Sequence, residues 1–183
     1  MKSPLSLLLF LATIQVSLAQ TSMESLLWIE TEAGMVTTVK GDLSDGIILN
    51  DLSWAWNSSN ACFPATQSQK FTGKHVLYAT DLPSYSEMEV TVIPDNKKDN
   101  FSVYAYEVGQ VSEGNLVPNL PSCVRCEVDH KWDRNYAGKT QDHTRTAKNL
   151  LAIRNPYQVV IGVVGANGLA EGGYTLEITL TKR

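Results

Sequence analysis

The chain has 183 residues, 43% of them apolar and 19% charged, with a net charge of −4. That length fits one domain around a single core, and the apolar share excludes a disordered chain. The longest basic run is Lys97-Lys98, which speaks against a nucleic-acid partner, since phosphate binding needs clustered Lys and Arg; acidic substrates and anionic membranes are disfavoured for the same reason.

The N-terminus reads as an export signal. Met1-Lys2 is a short positive start, 5–14 is an apolar run, and Ser17-Leu18-Ala19 puts small residues where a signal peptidase reads. Cleavage before Gln20 gives a signal peptide at 1–19, a lead-in segment at 20–34 and one domain over 35–183. The apolar run is too short to cross a bilayer, which takes roughly 20 residues, and no other stretch approaches that length, so no membrane span is expected. The expected protein is soluble and secreted, extracellular or periplasmic, with a charge of −5 once Lys2 is removed. No cysteine follows the cleavage site, which argues against a lipid anchor.

The mature chain carries strand signals in succession. Segment 35–40 is rich in Val and Thr and is closed by turn residues at Gly41-Asp42 and Asp45-Gly46. Leu52-Ser53-Trp54-Ala55-Trp56 is short and aromatic. Segment 74–80 alternates through Val76 and Tyr78. Met88, Val90 and Val92 alternate with Glu89 and Thr91 up to Pro94, which marks a strand end. The polar turn 95–100 leads to a return strand over 101–108, and 147–153 gives another. The two most regular segments come last: Tyr157 to Val164, and 173–180, where Tyr174, Leu176, Ile178 and Leu180 share a face. The glycine-rich stretch 165–172 between them predicts a terminal hairpin. About eight short strands with little helix predict an all-β antiparallel sandwich of jelly-roll type.

Segment 109–146 breaks the rhythm. It has no sustained period, yet it holds Cys123, Cys126, His130, Trp132, Asp133 and Tyr136. Loops beyond about 12–15 residues are uncommon in compact domains and are usually functional, disordered or stapled. Cysteine and tryptophan argue against disorder. Function is therefore expected in this loop.

Several of these strands carry a family resemblance. The strand ending at Tyr78, Val103-Tyr104-Ala105-Tyr106, Val159-Val160-Ile161-Gly162-Val163 and Gly173-Tyr174-Thr175-Leu176-Glu177-Ile178 together resemble the bacterial pre-peptidase C-terminal domain, over roughly 35–180. That resemblance implies a small secreted jelly-roll module, noncatalytic, with an accessory or binding role beside exported enzymes. The chain departs from the family pattern in having no catalytic domain ahead of the module and in carrying the 109–146 loop.

Exported thiols normally pair. Of Cys62, Cys123 and Cys126, either Cys62 bonds to one of the loop pair, which is the preferred reading, or Cys123 bonds to Cys126 and Cys62 is buried. No cofactor is expected. The alternatives are zinc, held by Cys62, Cys123, Cys126 and His130 or His143 in a tetrahedral Cys₃His set, and calcium, on Asp42, Asp45 and Asp51 or on Asp95, Asn96, Asp99 and Asn100. A Cys-x-x-Cys redox role lacks the helix N-terminus it needs, and Gly138-Lys139-Thr140 lacks the upstream glycine of a phosphate loop.

No catalytic residue is assigned. Asp129, His130, Asp133, Asp142 and His143 have neither nucleophile-plus-base spacing nor a metalloenzyme motif, and Asp142-His143 beside Arg145 reads as a surface ion pair. Trp54, Trp56, Tyr104 and Tyr106 read as core. Trp132, Tyr136, His130 and Asp133 are the candidate binding residues, because rigid aromatics give contact area at low entropic cost. The expected function is a secreted noncatalytic module that recognises a protein, polysaccharide or surface through 109–146. The alternative is a small zinc protein or hydrolase with a Cys/His/Asp site in the same loop.

Overall fold

Two kinds of strand build the molecule, and their burial says where each belongs. In the computed structural model, which describes residues 23–183, β5 (Ser86–Pro94) and β10 (Gly173–Lys182) alternate between buried and half-buried positions. By contrast β4 (Lys74–Leu82), β6 (Phe101–Val108) and β9 (Tyr157–Gly165) are buried along nearly their whole length. A strand that is apolar on both sides needs cover on both faces. The remaining strands are β1 (Leu26–Trp28), β2 (Val36–Asp42), β3 (Ile47–Ile48), β7 (Arg125–Asp129) and β8 (Arg145–Ala152). The expected signal peptide lies outside the described residues.

One sheet runs β1-β4-β9-β6-β7, with β3 also on β4, and the other runs β2-β10-β5-β8. Apart from β1 and β3, which extend the outer edge of β4, eight antiparallel strands follow the double Greek-key order of a jelly roll, each passing to the facing sheet except β6 to β7, which stay in the first. The expected fold class holds. β1 lies parallel to β4 and pairs Leu26 with Leu77, so the lead-in segment is part of the first sheet.

Three expectations need correction. The terminal segments are strands but not a hairpin: β9 sits between β4 and β6, while β10 sits in the facing sheet between β2 and β5. Valine on both faces of β9 suits an interior position, and the half-polar β10 suits a sheet with one wet face. The loop 166–172 therefore crosses the sandwich, helped by Gly168 (φ +80°) and Gly172 (φ +141°). Segment 53–56 is a 3₁₀ turn rather than a strand, which sends Trp54 inward (3% exposed) and leaves Trp56 40% exposed. And 109–146 is not one loop. It holds β7, which pairs with β6 from Val103↔Asp129 to Glu107↔Arg125, and it ends inside β8.

There are two apolar cores. The inner one lies between the sheets and includes Val76, Tyr78, Val90, Val103, Ile161 and Leu176. The outer one lies against the other face of the first sheet, where Tyr104, Tyr106, Val160 and Val164 are covered by Trp54, Phe63 and Phe71 from 49–73 and by Leu116, Val117 and Leu120 from 109–124. The sheets are also joined along one side. Thr146 N–H donates to Asp129 (2.8 Å), Leu151 N–H to Glu107 Oε1 (2.6 Å), and Arg145 Nε to the Phe101 carbonyl (3.0 Å).

Candidate binding surface

The jelly-roll order brings four connections to one end of the sandwich. β6 starts opposite the end of β9 (Phe101↔Gly165), β4 starts beside it (His75↔Val164), and β10 starts between Asp42 and Pro94. Segments 43–73, 95–100, 130–144 and 166–172 therefore meet there. Direct bonds tie them: Ala166 N–H to the Asn100 carbonyl (2.9 Å), Asn167 N–H to the Gln69 carbonyl (2.9 Å) and Leu43 N–H to the Gly172 carbonyl (3.1 Å). Segment 109–124 belongs to the opposite end, so the loop expected as one site is divided by β7.

The four candidate binding residues all fall in 130–144, and the structure brings them together. Trp132 and Tyr136 meet edge to face at 5.2 Å. Trp132 is held at its backbone by Gln141, which accepts from the Trp132 N–H (3.0 Å) and donates to its carbonyl (3.3 Å). Tyr136 is 58% exposed. Asp133 receives Lys70 Nζ at 2.8 Å and Gln67 Nε2 at 2.9 Å, and the Lys70 bond above all, with Gln67 second, holds its carboxyl below the usual range. His130 packs edge-on to Phe71 at 5.9 Å, and its Nδ1 lies 3.0 Å from the Lys131 carbonyl. The candidates are thus fastened to the 3₁₀ helix Ala65–Phe71, whose Gln67 and Lys70 sequence reading missed because nothing local marks them.

An aromatic row leads away from this loop across the first sheet. Phe71 stacks on Phe63 at 3.8 Å, Phe63 meets Trp54 at 5.9 Å and Trp56 at 6.4 Å. Trp56, Cys62, Phe63 and Pro64 line a shallow apolar cleft of about 390 Å³. Beneath the row, His75 is buried and bonds on both nitrogens. The Phe71 carbonyl can only accept, so Nε2 carries the proton (3.0 Å), and Nδ1 accepts from the Tyr104 hydroxyl (3.2 Å). Burial lowers its pKa to about 4, so it stays neutral and structural.

Cys62 and Cys126 form a disulfide, and Cys123 is free. The preferred pairing of Cys62 with a loop cysteine is what the structure contains. The Cys₃His zinc set is thereby broken, since two of its sulfurs are bonded to each other and not available as thiolates. Cys123 is pushed up to about 11, first by burial and then by the Glu107 charge, so it is a protonated, poorly reactive thiol near neutral pH. His143 accepts from Arg145 at 2.9 Å; burial foremost, and then the Arg145 charge, lower its pKa. The supposed surface ion pair is not one: Arg145 is 2% exposed and Asp142 instead takes the Thr144 N–H at 3.0 Å. Among the described residues, no three His, Cys, Asp or Glu side chains are placed to hold a metal ion. The calcium candidates have other partners, Asp42 and Asp51 accepting from Ser44 and Ser53 backbone N–H groups (2.8 Å each) and Asp99 from Asn96 (2.9 Å). Among the described residues no helix is long and apolar enough to cross a membrane.

No family model matches the chain, and no curated protein matches it. The resemblance to the pre-peptidase C-terminal domain therefore goes no further than the jelly-roll strand order. A crystal structure of Aeromonas hydrophila PliG, a periplasmic lysozyme inhibitor of g-type lysozyme, is similar at a TM-score of 0.43 and 8% identity, covering 86% of this chain and 98% of that one. A likeness that distant assigns neither family nor function to this chain.

Proposed function

We propose that this protein is an exported, noncatalytic β-sandwich binding module whose contact surface is the 130–144 loop, with Trp132 and Tyr136 as its anchors. The observation that carries this reading is the way the loop is held. An irregular segment of fifteen residues is fixed by Gln141 at Trp132 and by Lys70 and Gln67 at Asp133, while Tyr136 is left exposed beside Trp132. Fixing a loop costs conformational entropy, and a pre-ordered aromatic pair recovers that cost on binding a partner. The zinc or hydrolase alternative has less support, because Cys62 and Cys126 are joined and the His130 and His143 rings have partners elsewhere.

The test compares wild type with the Trp132→Ala/Tyr136→Ala variant on glycan and protein arrays, with thermal unfolding as the folding control. Loss of the wild-type signals in a variant that melts normally is expected. Signals that persist unchanged would place the contact surface elsewhere.

A further inference from the structure

Folding gathers five exposed cations, Lys97, Lys98, Lys131, Arg134 and Lys139, at one end of an acidic chain. Segment 130–145 carries Lys131, Arg134, Lys139 and Arg145 against only Asp133 and Asp142. Asp133 is already answered by Lys70 at 2.8 Å, and Arg145 is buried. That leaves Lys131, Arg134 and Lys139 exposed, in no ion pair among the described residues. Lys97 and Lys98, exposed in the 95–100 turn, stand at the same end. Asp142, lowered chiefly by the Thr144 N–H, also feels Lys97, and His143, lowered chiefly by burial, also feels Lys131. Of the acids at this end, Asp95 faces Lys40 at 3.8 Å, while Asp99, which accepts from the neutral Asn96, and the exposed Glu171 keep their charges, so the cationic character is local to 131–139 and 97–98. Sequence reading missed this patch because its cations form no run: Lys131, Arg134 and Lys139 are interleaved with Asp133 and uncharged residues, and Lys97-Lys98 lies more than 30 positions away.

We infer that this end binds an anionic polysaccharide, one whose sugar rings lie against Trp132 and Tyr136 while its carboxylate or sulfate groups meet Lys131, Arg134 and Lys139. The inference rests on the proposed binding role of the loop and adds the chemical class of the ligand. Two partly exposed rings are too little apolar area for the core of a standard protein interface, which takes about 800 Å² per partner. They suit the faces of one or two sugar rings, and unpaired cations beside them suit charges repeated along a chain. The net charge of −4 repels a polyanion from the rest of the surface, which confines the contact to this end.

Affinity electrophoresis through polygalacturonate, dextran sulfate and uncharged dextran tests this, with poly-glutamate and poly(dT) as polyanions lacking a polysaccharide backbone. The expected result is retardation by polygalacturonate or dextran sulfate, weakened by added salt, and absent with dextran; which of the two retards more identifies the anionic group. Lys131→Ala/Arg134→Ala/Lys139→Ala should weaken it roughly tenfold or more, the combined effect of three exposed charges, without changing the melting temperature, and Tyr136→Ala should weaken it as well. Retardation by dextran that depends on Trp132 and Tyr136 but not on the three cations would overturn the inference and leave the binding loop in place. Equal retardation by poly-glutamate or poly(dT) would overturn it as charge attraction alone. Polysaccharide binding that neither variant alters would overturn both readings. Absence of binding to all the polysaccharides would overturn the inference, and the arrays would then decide on the loop.

Discussion

The two faces of the first sheet are covered in different ways. Its inner face meets a second sheet, and there most of the core comes from regular alternation: Val90, Leu176 and Ile178 on one side, Val103, Ile161 and Tyr78 on the other. Its outer face meets two irregular segments that have no ladder of their own and are held by side chains. Asn60 Nδ2 donates to the Trp54 and Leu120 carbonyls (2.8 and 3.0 Å), His75 to the Phe71 carbonyl, and Cys62 is bonded to Cys126. A sheet-on-sheet core is stabilised by many equivalent contacts, so no single one decides it. The outer core depends on a few particular residues, and the candidate surface hangs from that layer through Lys70, Gln67 and Phe71.

The strongest way to break this contrast is to open the disulfide. Its closure spans a sequence separation of 64, worth about 4 kcal/mol in the chain-entropy account. Cys62→Ser/Cys126→Ser should lower stability by about that much, with amide exchange quickening first in 53–71 and only later in β4, β9 and β6. Uniform exchange, or a loss under about 1 kcal/mol, would mean that the aromatic row alone holds the outer layer. Leu176→Ala, in the inner core, should cost about 3–4 kcal/mol by creating a cavity. Chemical denaturation should then show one transition at a lower midpoint, with no early loosening of 53–71.

His75 sharpens the contrast through pH. Its pKa is 6.5 unfolded and about 4 in the fold, with burial the main cause. Above pH 6.5 the ring is neutral in both states. As pH falls from 6.5 to 4 the unfolded chain takes up the proton and the folded chain does not, so stability declines, by about 3 kcal/mol in all; below 4 the slope from this group ends. Glu107, raised by burial, pulls the opposite way, and His143, lowered, pulls the same way. The difference between wild-type and His75→Gln melting curves isolates His75. Parallel curves from pH 7 to 4 would show that the ring is not sealed beneath Phe71.

Much of the inner core was legible in the sequence and little of the outer. Alternation at Met88, Val90 and Val92, and at Tyr174 to Leu180, names the buried face of a strand directly. It does not name the strand's partner, which is why β9 and β10 read as a hairpin. Trp54 and Trp56 would share a face on a strand, but in a 3₁₀ turn of three residues they point apart. The binding candidates were legible only as residues out of rhythm. What fixes them was not, because Lys70 and Asp133 are 63 positions apart, and no local pattern encodes a contact at that distance. The cations of 131–139 were hidden differently, because Asp133 and uncharged residues break them into single charges with no basic run.

Gly162 gives the smallest and most local test. It lies on β9 between Val160 and Val164, on the face that meets the outer layer, and a Cβ there would sit 2.1 Å from Cζ of Tyr104. The Tyr104 ring cannot swing aside, since Trp54 packs on it at 5.2 Å and Tyr106 at 6.3 Å, and its hydroxyl is bonded to His75. A glycine inside a strand here marks a close approach rather than a weak point. Gly162→Ala should therefore cost about 2 kcal/mol through overpacking, read from a urea midpoint, and should disturb the His75 environment before it disturbs the inner core. The His75 ring resonances are the readout: a shift there with the Leu176 and Ile178 methyl signals unmoved would show the two cores responding separately. Equal shifts in both would mean that the central sheet transmits strain between its faces and that the two coverings act as one.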